Sequence, residues 1–137
     1  MEANPILHRK TIMVISDDAE TRTPIADLLE LNGYMVTQAI NSSEALAQLK
    51  LGSPAPTLIL LDLLTPKTDG RAFIRRARSR SWLARVPIVV MTDEDKSDLA
   101  GAAASLKKPI AGNTLLKCVE RCSTIAPETN SFPRAKP

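Results

Sequence analysis

Three short apolar runs recur along the chain and each stops abruptly at polar residues. Thr11–Ile15 ends before Ser16-Asp17-Asp18, residues 57–61 end before Asp62, and residues 86–91 end before Thr92. Continuous apolar character over about five residues, rich in Ile, Val and Leu, predicts strands buried on both faces. Residues 34–40 alternate weakly and predict a further strand, and the alanine-rich 102–107 predicts a poorer one that closes at Lys108-Pro109. Between these runs the period changes. Ile25, Leu28 and Leu29 fall at helical spacing, with Pro24 tolerable in a first turn and Gly33 placed as a C-terminal cap. Asn41 and Glu44 are spaced as a helix cap and its N3 partner ahead of Ala45, Leu46 and Leu49. Residues 71–79 predict a basic helix carrying Ala72, Phe73 and Ile74, and Leu115, Cys118, Val119 and Cys122 form the stripe of a last helix. Residues 52–56 and 65–70 have the Gly, Pro and Ser or Thr content of loops.

Strands alternating with helices predict an α/β fold, a parallel sheet covered on both faces by right-handed crossovers. Ligands of such sheets sit beyond the carboxyl ends of the strands. That rule gathers Asp17, with Ser16 and Asp18 beside it, Asp62, Thr92 and Lys108 into one crevice, because each follows a predicted strand. Singly, any of them is an ordinary polar residue at a strand end; jointly they make a site.

Length and composition fit one globular domain: 137 residues, 44% apolar and 24% charged. The reading is an N-terminal extension over 1–10, a domain over 11–122, and a flexible Pro-containing tail over 123–137. No apolar stretch approaches the roughly 18 residues of a membrane span and no leader-like segment opens the chain, so a cytoplasmic protein is expected. Charge is uneven. Residues 1–50 carry four basic and seven acidic groups, residues 51–137 fourteen and eight, and six arginines (71, 75, 76, 78, 80 and 85) crowd one stretch. Either that stretch is a solvated helix face or it attracts phosphates or an acidic partner. Aromatics, at 3%, are too few for a single-strand nucleic-acid platform, and nucleic acid is not an expected partner. Cys118 and Cys122 lack a neighbouring His or Cys to complete a zinc site and are expected as core thiols.

Two or three carboxylates in one crevice repel one another unless a cation is present, and an all-oxygen site suits Mg²⁺. Asp62, between a metal and Lys108, is then an aspartate poised to attack a phosphoryl group, with Thr92 able to hydrogen-bond a phosphoryl oxygen.

The ordered motifs resemble the receiver domains of two-component response regulators over about residues 11–122. Ser16-Asp17-Asp18 stands where that family has its acidic pair, with Arg22 at the usual distance. Residues 62–70, from Asp62 to Asp69-Gly70, resemble the loop that begins at the phosphoacceptor; residues 86–92 resemble the strand ending in the switch Thr or Ser; and 101–109 end in a similar Lys-Pro pair. The resemblance implies a flavodoxin-like, doubly wound five-stranded sheet of order 2-1-3-4-5. It also implies a cis bond before Pro109, and Mg²⁺ held by Asp17, Asp62 and the backbone carbonyl of Leu64, with Ser16 and Asp18 as further candidates. Partners would be a histidine kinase or phosphotransfer protein, which phosphorylates Asp62, and a downstream protein, the domain acting as a switch and not as an enzyme.

Four departures qualify that picture. Ser16 replaces one acid of the pair, which weakens metal binding unless Asp18 compensates. Asp93 follows Thr92, and either borders the phosphoryl pocket or points to solvent. Ser105 stands in the place of the aromatic switch residue. Thr92 and Lys108 are also about six residues closer than usual, leaving the family's fourth helix as one turn or an irregular loop. The leading reading is a stand-alone receiver that works through protein contacts, since fifteen residues after Cys122 are too few for a DNA-binding output domain. The alternative is a pseudo-receiver, a binding module working without phosphorylation. A phosphatase is disfavoured by Leu64, which leaves no acid two residues after Asp62, and a flavin carrier by the lack of a phosphate loop after the first strand. Leu64 and Glu94 near the acyl phosphate predict slow self-dephosphorylation.

Overall fold

A computed structural model describes residues 10–50, 54–63, 67–93 and 100–131, with side chains at all of these except 67–69 and 124–131. Nine elements follow one another: β1 (Thr11–Ile15), α1 (Ala19–Leu31), β2 (Met35–Ala39), α2 (Ser42–Gln48), β3 (Leu58–Asp62), α3 (Lys67–Arg78), β4 (Ile88–Thr92), β5 (Ala104–Lys107) and α4 (Gly112–Ser131). The five strands are parallel in the order β2-β1-β3-β4-β5, as the family resemblance implied.

Successive side chains of a strand point to opposite faces, and the core divides accordingly. Met13, Ile15, Ile59, Leu61, Ile88 and Val90 face α2 and α3 and meet Ala45, Leu49, Phe73, Ile74 and Ala77. Ile12, Val14, Leu58, Leu60, Val89 and Met91 face the other way and meet Leu29 of α1 with Leu115, Cys118 and Val119 of α4. Each large side chain so buried contributes roughly 1.5–3 kcal/mol relative to exposure. Two fully lined faces explain why the central strands read as unbroken apolar runs, whereas edge strand β2 keeps Met35, Thr37 and Gln38 exposed.

Several element boundaries differ from the pattern-based expectation. α1 starts at Ala19, not near Pro24, because the Asp18 carboxylate caps it by accepting from the Glu20 amide; Pro24 therefore lies in the second turn. There it forgoes the bond to the Glu20 carbonyl. α3 begins at Lys67, so residues 67–70, expected as loop, form its first turn. Gly70 is buried there, and a Cβ on it would run into the Leu63 side chain. α4 runs past Cys122 to Ser131. The domain boundary placed at 122 cuts through this helix, since Ser123 is fully buried and its hydroxyl donates back to the Val119 carbonyl.

The α2 cap forms as the spacing predicts. Asn41 Oδ1 accepts from the Glu44 amide at 2.8 Å while Glu44 Oε1 accepts from the Ile40 amide at 2.6 Å. Gly33 closes α1 with φ +95°. Between β4 and β5 none of the described residues, 93 and 100–103, is helical; residues 94–99 lie outside the described residues.

Candidate functional site

The sheet register gathers the site before any side chain is considered. Ile15 pairs with Leu61, so Ser16 and Asp62 leave β1 and β3 side by side. Asp62 pairs with Met91 and Thr92 with Lys107, and the Lys108 amide donates to the Thr92 carbonyl at 2.7 Å. Four strand ends thereby bring Ser16, Asp62, Thr92 and Lys108 to one rim, where the fold class places ligand sites.

Asp62 is the centre. Its side chain is 0% exposed and that of Lys108 15%, and the Lys108 ammonium lies 2.5 Å from Asp62 Oδ1. Oδ1 is buried and accepts no further hydrogen bond from the described residues, whereas Oδ2 accepts from the Ser16 hydroxyl at 2.7 Å. Removing a carboxylate from water is costly unless it is paired, and here one cation and one hydroxyl compensate it. Ser16 is itself held, its Oγ accepting from the Asp18 amide at 3.1 Å. Arg22 braces the same turn from outside, donating through Nη1 to the Ser16 carbonyl at 2.6 Å and through Nε to Gln38 Oε1 at 3.0 Å.

The remaining candidates separate. Asp17 is exposed and lines, with Ser16, Asn41 and Asp62, a cavity of about 70 Å³. Asp18 is turned toward α1, where its oxygens accept from the Glu20 amide at 3.1 Å and the Thr21 hydroxyl at 2.8 Å. Among the described residues, no three carboxylate, imidazole or thiol groups cluster as metal ligands. Thr92 is buried at the end of β4. Asp93 is exposed and lines, with Lys108, Pro109, Ile110 and the start of α1, a groove of about 480 Å³ on the outer side of Lys108. The Lys108-Pro109 bond is cis, as the resemblance implied. Ser105 is exposed on β5. Leu64 and Glu94 lie outside the described residues.

The cysteines stay out of this chemistry. Cys118 is buried, and burial, reinforced by neighbouring Cys122, pushes its thiol up to about 11, so it resists becoming the thiolate that metals and electrophiles require. The arginine stretch is less uniform than its sequence suggests. The Arg78 guanidinium donates through Nη1 to the carbonyls of Leu83, Ala84 and Val86 at 3.4, 3.2 and 2.9 Å, and through Nη2 to Gly101 at 2.7 Å. It ties the end of α3 to the segments entering β4 and β5. No local pattern marks this role, because its acceptors are backbone groups up to 23 residues away.

A doubly wound parallel sheet whose strand ends present a buried carboxylate, a lysine and a buried threonine defines a class of α/β protein with its chemistry on one rim. The family model described as the response regulator receiver domain matches residues 12–120, and the chain belongs to that family. It is 35% identical over 89 residues to the phosphate regulon transcriptional regulatory protein PhoB of Pseudomonas aeruginosa, covering 65% of this chain and 38% of that protein. An uncharacterized 14.6 kDa protein of Leptolyngbya boryana is 30% identical over 129 residues, covering 89% of this chain and 97% of the relative. Among solved structures, the chemotaxis response regulator CheY4 of Vibrio cholerae superposes with a TM-score of 0.75 at 27% identity, covering 83% of this chain and 98% of that one. The chain spans less than half the length of the PhoB relatives. No helix among the described residues is long and apolar enough to cross a membrane.

Proposed function

We propose that the protein is a phosphorylatable receiver in which Asp62 accepts a phosphoryl group from a histidine kinase or phosphotransfer protein and passes the change to a protein partner. The observation that carries this reading is the buried Asp62 carboxylate held between Lys108 and Ser16, beside Thr92, on the strand-end rim. In the transfer, one Asp62 oxygen forms a bond to phosphorus as the bond from phosphorus to the donor's imidazole nitrogen breaks. The imidazole keeps that electron pair and takes up a proton. Lys108 offers a point charge to the phosphoryl oxygens and Thr92 a hydroxyl, so the charge that leaves the carboxylate stays compensated.

The donor set fits a divalent cation, although with less charge than an acidic pair would give. Asp17 and Asp62 line one cavity of about 70 Å³, more than the roughly 30 Å³ that a water molecule takes in the liquid. Mg²⁺ bound by Asp17, Asp62 and the Leu64 carbonyl would neutralise charge on the transferring group. Ser16 supplies no charge and donates to Asp62 Oδ2, taking one of the two lone pairs that this oxygen could offer a metal. Asp18, engaged at both oxygens by α1, is a poor substitute.

Incubating wild type and Asp62→Asn with a small-molecule phosphodonor and Mg²⁺, then weighing the intact proteins, tests the proposal. A mass gain of one phosphoryl group in wild type alone is expected. The second reading, a pseudo-receiver, is favoured by the Ser16 hydroxyl on Oδ2 where a charged ligand would serve a metal. No gain in folded wild type, alongside a labelled control receiver, supports it, and gain restored by Ser16→Asp would assign the loss to that residue.

A further inference from the structure

α3 carries a charge pattern that phosphorylation chemistry at Asp62 does not use. Its described exposed positions, Arg71, Arg75 and Arg76, all have one sign, and Arg71 and Arg75 are one turn apart on the same side. A like-charged pair four residues apart costs helix stability. The helix dipole favours Arg75 and Arg76 near the C-terminus but gives nothing to Arg71. Neither Arg71 nor Arg75 pairs with an acid among the described residues.

Arg71 and Arg75 flank a groove of about 350 Å³ that also includes Ile74, Arg78, Ala100 and Gly101. Its wall is rigid. Arg78 is locked by four carbonyls, and its burial lowers its pKa. Gly101 closes the opposite side at φ +93°, where a Cβ would come within 2.8 Å of Ile74 Cγ2. Two exposed guanidinium forks without an acidic partner among the described residues, over a partly apolar floor, match carboxylates spaced along an extended chain.

We infer that this groove between α3 and the segment entering β5 is a docking surface for an acidic segment of a partner protein. Nucleic acid fits it less well. Two accessible guanidiniums fall short of a stripe that follows a phosphate backbone, and the described residues that line the groove include no aromatic side chain for bases to stack on. The inference does not depend on Asp62 phosphorylation.

Fluorescence anisotropy with a dye-labelled octaglutamate peptide, in 50 mM salt and without phosphodonor, tests it. Saturable binding is expected, at least tenfold weaker for Arg71→Glu/Arg75→Glu. Arg76→Glu is a single reversal outside the groove, compared with the single reversal Arg71→Glu inside it; it is expected to weaken binding less than threefold, and Arg71→Glu more than threefold. Thermal melts establish that each variant is folded; should the double variant fail to fold, Arg71→Gln/Arg75→Gln replaces it. Equal losses from Arg76→Glu and Arg71→Glu would reduce the effect to bulk charge and overturn the proposal. So would tighter binding of a labelled oligonucleotide of equal charge, no binding of the peptide, or peptide-independent self-association of the chain lost with the same two arginines.

Discussion

The centre and the β5 edge of the sheet are built to different standards. Every residue of β3 and β4 is buried, and the two core faces pack their side chains with Leu29 of α1, Ala45 of α2, Phe73 of α3 and Leu115 of α4. β5 buries only Leu106, at 9% exposure, and leaves Ser105 and Lys107 exposed. The buried Asp62 carboxylate sits on the well-packed centre, while the cation paired with it, Lys108, comes from just past the sparsely packed edge. An element with few buried contacts is also the one most easily displaced.

Truncating the core probes that contrast most strongly. Leu60→Ala removes a fully buried side chain of β3 and is expected to lower unfolding free energy by about 4 kcal/mol, whereas Leu106→Ala on β5 costs about 2 kcal/mol. Urea unfolding of both variants measures the difference, and equal losses would mean that β5 is as tightly packed as the centre. Lys108→Ala removes the cation paired with the buried Asp62 carboxylate and leaves the Ser16 hydroxyl bond in place. A loss of roughly 3 kcal/mol at neutral pH is expected, recovered in large part by Asp62→Asn in the same chain. A double-mutant cycle showing no coupling would break the link drawn between edge and centre.

The smallest effect concerns pH. Burial, then neighbouring Cys122, raises the Cys118 thiol from 9.0 to about 11, so between those values the unfolded chain releases a proton that the folded one keeps. Stability contributed by the neutral thiol is complete below pH 9 and declines as pH rises toward 11, by at most about 1.4 kcal/mol per pH unit. Melts of wild type and Cys118→Ala across that window should differ in slope, with the variant flatter.

Much of the site was legible in the chain because strand ends are marked by abrupt changes in polarity. Once the alternation of strands and helices implies a parallel sheet, Asp62, Thr92 and Lys108 must share a rim, and the structure places them on one. The α2 cap was readable for a similar reason, since Asn41 and Glu44 act within one turn. Pro24 misled the start of α1 because its usual place in a first turn was outweighed by a better cap at Asp18. The loop composition of 65–70 concealed the first turn of α3, where Gly70 answers to the tertiary crowding of Leu63 and not to local propensity.

Local chemistry along the sequence thus determined the element types, the fold class and the identity of the residues on the rim. Tertiary structure alone decided that Ser16 donates to Asp62 Oδ2, that Asp18 turns to the helix it caps, and that Arg78 serves backbone carbonyls while Arg71 and Arg75 remain at the surface. Polarity patterns report which side of an element meets water. They carry no information about which of several polar neighbours a side chain will bind once distant strands and loops have been packed beside it.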